Sequence, residues 1–327
     1  MIFYLVLSFS AFFLSLLGTR VAILAARKRA GGTEPLANPR KSIPNGGGIA
    51  LVMTLIICLL IADIHYGIVL SLFLLAAISL LGDIIEIPVL VRIMVQILAV
   101  LIAVSFLPLP LFGDTFPLWA DKIVTVALWV WFINIFNLMD GIDGITAMEV
   151  ICIATGFSLI IALNGIFPDP LSVYSLILMS AGCGFFWWNW YPAKILLGEV
   201  GSAPIGFLVG YMLFIAIASG YAYPALILPA YYLSDATATF IRRSFHGKID
   251  WESHHEHYYQ MAVRAGRRHD TVVRYIFGLN FLLILLATFS VLNREFAPIY
   301  LATSYMATFM VLGFFAYTPH NPRHASF

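Results

Sequence analysis

This 327-residue chain reads as an all-α polytopic membrane protein with its chemistry gathered at one face. Three observations carry that expectation. The composition is 61% hydrophobic and only 11% charged, with a mean hydropathy of +0.93, whereas ordinary soluble domains carry roughly 25% charged residues. Apolar runs of about 17–22 residues recur, the length that crosses roughly 30 Å of hydrocarbon. Finally, the run Trp129 to Phe136 is followed at once by NLMDGIDG, Asn137 to Gly144, which places two carboxylates beside a membrane segment. Ionisable groups at membrane depth are costly and usually functional.

About eleven apolar segments are expected to span. In order they are 2–24, 47–63, 67–82, 93–108, 121–138, 145–163, 171–188, 203–219, 222–240, 273–292 and 297–317. The first lacks the small-residue cleavage site of a secretory signal and reads as a retained span. No separate soluble domain, internal repeat or low-complexity tract interrupts the series, so residues 1–327 read as one integral membrane domain. Cys58, Cys152 and Cys183 all fall inside spans and read as buried free thiols.

Basic residues orient the bundle. Of the 18 Lys and Arg residues, only Lys122 and Arg294 fall on one side; the rest, Arg27, Arg92, Lys194 and Arg242 among them, fall on the other. The positive-inside rule makes the rich side cytoplasmic. An odd number of spans then puts the N-terminus outside and the C-terminus in the cytoplasm. The polar clusters fall on that same cytoplasmic face: Asn38 to Gly48, Gly82 to Arg92, Asn137 to Gly144, Asn189 to Ser202 and Arg242 to Arg274. A transporter instead needs polar groups at the midplane, often in broken helices. Chemistry at one surface favours an enzyme that takes one substrate from the cytosol and another from the bilayer.

Asp140 and Asp143 are spaced i,i+3, which on a helix or tight turn places them on one face, where a cation would relieve their repulsion. Gly141 and Gly144 leave room for a ligand to approach the backbone. Gly46-Gly47-Gly48, Gly144 and Gly201-Ser202 each open a span running outward. They present helix N-termini, whose unpaired N–H groups favour phosphate, at the cytoplasmic face. His254 and His257 sit in the long basic loop beside Tyr258 and Tyr259. No cysteine lies near them, so a zinc site is not expected.

Taken together these motifs resemble those of the polyprenyl-phosphate N-acetylhexosamine-1-phosphate transferases. NLMDGIDG is close to a signature of that superfamily. IPNGGGIAL at Ile43 to Leu51 resembles its first cytoplasmic loop, and GDIIEIPVLVRIMVQ at Gly82 to Gln96 its acidic second loop. LLGEVGSAPIGF at Leu196 to Phe207 resembles its Gly-Asp-x-Gly-Ser element, and SHHEHYYQ at Ser253 to Gln260 the histidine motif of O-antigen-initiating members. The resemblance implies Mg²⁺-dependent transfer of a sugar-1-phosphate, Mn²⁺ also serving, from a UDP-N-acetylhexosamine to undecaprenyl phosphate, with release of UMP. It places the protein in the bacterial inner membrane, in lipopolysaccharide O-antigen or other cell-envelope glycan synthesis. By resemblance, Asp83, Asp140 and Asp143 are the catalytic acids, and Glu199 with Asp140 hold the metal. Asn137, His254, His257, Gly47, Gly48 and the weaker candidate Asp235 contact substrate. Membrane lipid is the remaining partner. No nucleic acid is expected, and a homodimer is compatible.

Two departures stand out. The paired aspartate of the family is here Gly82-Asp83, and glutamate replaces aspartate at 199, a longer arm for an ion that wants near-octahedral oxygen ligands. Local alternatives stay open: Asp83 as a helix cap, Glu199 paired with Lys194, Asp235 paired with Arg242 or Arg243, and the histidines as solvated loop residues. So do two other classes of protein, a catalytically silent scaffold of a glycan-assembly complex and a secondary transporter.

Overall fold

The computed structural model describes residues 2–29, 43–108, 110–165, 170–245 and 257–317. Among them the structure is helical, with no strand. The helices are α1 (Ile2–Arg29), α2 (Gly47–Ile61), α3 (Tyr66–Ile84), α4 (Val89–Val104), α5 (Leu118–Leu138), α6 (Ile145–Asn164) and α7 (Pro170–Asn189). They continue with α8 (Glu199–Ala218), α9 (Ala222–Ile227), α10 (Ala230–Phe245), α11 (Tyr258–Arg264), α12 (His269–Leu292) and α13 (Ala297–Ala316).

Helix lies on each expected apolar segment, but among the described residues eight helices are long and apolar enough to cross a membrane. Two others, α2 and α4, are apolar but shorter, with 15 and 16 residues. The run 222–240 is not one helix. It breaks between α9 and α10 at Pro229, which has no N–H to give to the preceding turn. Leu233 N–H bonds to the Pro229 carbonyl at 3.0 Å and starts the second helix. Cys58, Cys152 and Cys183 are free thiols, the first two buried.

Helix α8 is the axis of the bundle, buried along nearly its whole length. It packs against α2, α3, α5 and α9. On the α5 side, the Trp129 ring stacks on Phe207 and Tyr211, with centroids 5.1 and 5.7 Å apart. Its indole N–H donates to the Phe207 carbonyl at 3.0 Å, so the only polar atom of this large buried side chain is satisfied. The α2 contact is tighter still. A Cβ on Gly48 would lie 2.3 Å from the Gly201 nitrogen, so two backbones touch where no side chain fits.

That contact sets up a comparison. Gly48→Ala forces α2 away from α8 and should destabilise the protein by about 1–3 kcal/mol, the usual cost of overpacking. Gly278→Ala, where an added Cβ meets nothing within 4 Å, should be neutral or slightly stabilising because helical glycine is entropically costly. Thermal unfolding of both variants in detergent checks the contrast.

Candidate functional site

The polar segments converge on one end of the bundle. Three helices start there, each preceded by a glycine in a positive-φ conformation: Gly46 (φ 100°) before α2, Gly144 (φ 81°) before α6 and Gly198 (φ 72°) before α8. Helix α8 thus starts two residues before the expected Gly201-Ser202, which puts Glu199 in its first turn, where the helix dipole favours a carboxylate. Ser202, one turn on, donates to Asn137 Oδ1 at 2.6 Å and ties the end of α5 to the start of α8.

The glycines expected to admit a ligand are filled or engaged by protein. Gly47 and Gly48 N–H groups donate to the Leu196 and Leu197 carbonyls, both at 2.9 Å. Gly144 N–H donates to Asn189 Oδ1 at 3.0 Å, and Asn189 in turn donates to the Ile195 carbonyl at 3.0 Å. Gly141 receives the short helix α11: a Cβ there would lie 2.2 Å from the Tyr259 hydroxyl.

The two motif aspartates have different surroundings. Asp143 is buried and turns toward the chain. Its carboxylate accepts from Ala193 N–H at 3.0 Å and lies 3.4 Å from His269 Nδ1, while its own N–H donates to that nitrogen at 3.2 Å. A Nδ1 that accepts the amide proton carries none itself, so His269 is the Nε2–H tautomer and its contact with the carboxylate is not a hydrogen bond. Asp140 is half-buried. Burial holds its carboxyl up at about 6, from an ordinary 3.8; a bond from Thr146 opposes the rise and the charge of Asp143 adds to it.

The remaining polar residues of this end lie on α3, α4, α8, α10 and α11. Asp83 is exposed near the end of α3. Glu199 pairs with Arg92, in the first turn of α4, and not with Lys194, whose ammonium lies 4.9 Å over the Trp188 ring. Asp235 pairs with neither Arg242 nor Arg243. It is wholly buried in α10 and accepts from the Tyr258 and Tyr259 N–H groups at 3.0 and 3.4 Å, with His257 Nδ1 at 3.2 Å. It is the anchor of α11. His257 is buried, so of the loop histidines this one is not a solvated bystander. His254 lies outside the described residues, as does His255. Burial, then the charges of Asp235 and Asp140, push the Tyr259 phenol well above its ordinary value; it stays protonated and donates to the Leu138 carbonyl at 3.4 Å.

Arg92, Asn189 and His269 are structural members of this site that motif reading gave no role. Their signal was faint: a lone arginine opening an apolar helix, and polar residues at apolar helix ends.

A polytopic helical membrane protein whose polar residues meet in one connected network around an Asp-Gly loop at one bundle end is the class that fold and site define. Residues 65–217 match the family described as Glycosyl transferase family 4. The chain is also 26% identical over 260 residues, 74% of its length and 72% of the relative's, to a probable undecaprenyl-phosphate N-acetylglucosaminyl 1-phosphate transferase of Bacillus subtilis (strain 168). These two likenesses support the resemblance to the polyprenyl-phosphate hexosamine-1-phosphate transferases that the motifs carry.

Two outcomes follow from the aspartates. A carboxyl whose pKa is raised by folding stabilises the fold below its unfolded value, near 3.8, and that contribution is lost as pH rises through about 6. Asp140→Asn lacks this loss, so its melting temperature relative to the natural protein should rise between pH 4.5 and pH 7. His269→Ala leaves the buried Asp143 N–H without its acceptor and should destabilise the protein by about 1–3 kcal/mol in detergent unfolding.

Proposed function

We propose that this protein transfers a sugar-1-phosphate from a UDP-N-acetylhexosamine to undecaprenyl phosphate at the cytoplasmic face of the bacterial inner membrane, for envelope glycan synthesis of the O-antigen type. The N-terminus lies outside and the C-terminus inside. The observation that carries the reading is the network just described, in which Asn137-to-Gly144 is joined to α8, through it to α4, and to α11 by Asn137–Ser202, Arg92–Glu199 and Gly141–Tyr259. The family match and the name of the Bacillus subtilis relative support the substrate class.

In the reaction an oxygen of the lipid phosphate bonds to the phosphorus that carries the sugar, and the bond from that phosphorus to UMP breaks. Both reactants are anions, so positioning and charge neutralisation carry the catalysis. To Asp83, exposed at the bundle end, we assign the lipid phosphate. Asp140 supplies an ionised carboxylate above about pH 6.

Hard carboxylate oxygens on two linked helix ends, Asp140 and Glu199, suit Mg²⁺ or Mn²⁺. The Arg92 guanidinium stands against Glu199 as a cation, which supports a role for that carboxylate in holding positive charge. When bound, the metal neutralises diphosphate oxygens. A groove of about 540 Å³ between α5, α10 and α13, lined by Trp131, Leu233, Thr237, Ile241 and Phe309 with Arg242 among them, suits a polyprenyl chain ending in phosphate.

The test is release of UMP from membranes given undecaprenyl phosphate and a panel of UDP-sugars. EDTA should abolish it and Mg²⁺ or Mn²⁺ restore it. Asp140→Asn should lower turnover at least about a hundredfold with the protein still folded, as loss of a key electrostatic group does. Near-normal UMP release by that variant, or a fully active EDTA-treated enzyme, overturns the reading.

A further inference from the structure

Gly82 is where this chain departs from the family it resembles, and the structure shows what fills the space. A Cβ at position 82 would lie 2.8 Å from Arg92 Nη2 and 3.2 Å from Cζ. The guanidinium therefore rests on the bare backbone where a first aspartate would stand. With no carboxylate at 82 to hold it, Arg92 reaches across to Glu199 on α8. Its Nε–H is buried without a hydrogen-bond partner, so the fork is only partly used. The pair is partly open, with side-chain exposures of 27% for Arg92 and 21% for Glu199.

The geometry points to Arg92 as an exchangeable counter-ion for Glu199. In the empty site it neutralises the carboxylate and keeps a divalent cation away. When a diphosphate enters, the guanidinium turns to the phosphate oxygens and Glu199 is released to the cation. The physics permits the exchange. A partly exposed carboxylate pair is weak, whereas phosphate offers the planar guanidinium a charge-assisted, bidentate partner. An unused Nε–H lowers the cost further, because a donor left idle in the empty site gains a bond. No bond is made or broken. Arg92 is a positioning residue, and naming its anion a nucleotide-sugar diphosphate rests on the transferase reading above.

The experiment needs no turnover. Mn²⁺ binding to the purified full-length protein in detergent is followed by electron paramagnetic resonance, with no nucleotide present. The natural protein should bind weakly, and so should Arg92→Lys, which keeps the cation. Arg92→Gln should bind at least tenfold more tightly, and Arg92→Gln with Glu199→Gln should return to the weak level. Arg92→Met, which keeps the packed stem, repeats the test if the Gln variant does not fold by circular dichroism. Unchanged affinity in the Arg92 variants, or a gain that survives loss of Glu199, overturns the inference. If the Mn²⁺ pattern holds while no UDP-sugar gives UMP, the transferase reading fails and the counter-ion role stands.

Discussion

Everything at this end of the molecule depends on how closely α2 and α8 approach. With Gly48 facing Gly201, the two backbones meet at a distance that a methyl group would prevent. From that contact the rest is placed. The Leu196-Leu197 carbonyls meet the amides that open α2, and α8 begins beside α2. Ser202 is then within reach of Asn137 at the end of α5, and the Asp-Gly loop hangs between two fixed helix ends. In a membrane, where no hydrophobic gain separates protein–protein from protein–lipid contacts, such small-residue packing and the polar bonds it permits hold helices together. The same glycines give the fold its tightness and the site its position.

Within that frame one residue type takes on unlike tasks. Asp143 spends its carboxylate on a backbone amide of the 190–198 segment. Asp235 caps α11 and orients His257. Asp140 is only half-buried, and burial keeps its proton to about pH 6. Spacing alone made Asp140 and Asp143 look equivalent. They lie in a loop that turns through a left-handed Gly144, not on a helix, so the i,i+3 rule does not align them. Environment separates their chemistry, as it does wherever two carboxyls share a site but not a surrounding.

The sequence made the large features legible because they depend on composition and local punctuation. Apolar runs fell on helices, glycine clusters on helix starts, and NLMDGIDG on the hub of the polar network. Pro229 was a visible breaker inside 222–240, but a hydropathy sum does not register one missing N–H. What stayed hidden was partnership. Arg92 and Glu199 are 107 positions apart, and Asp143 and His269 are 126 apart. No local pattern links such pairs. Lys194, near in sequence, was the obvious partner for Glu199, yet it lies over Trp188 because the chain turns away after Asn189. Asp235 likewise looked toward two nearby arginines, although α11 brings it two backbone amides and an imidazole.

A site for two anionic substrates faces conflicting demands. Empty and next to lipid, it must not hold unbalanced charge, because desolvated ions are costly. Occupied, it must offer enough positive charge to hold a diphosphate beside a lipid phosphate. Fixed arginines answer only the second demand and permanently paired ions only the first. A cation that is paired with a carboxylate in one state and with phosphate in the other answers both. Gly82 makes that possible here by removing the competing acid and leaving the guanidinium a flat place to rest. Under the exchange proposed above, the missing carboxylate and the longer arm at Glu199 belong to a single solution of the charge balance.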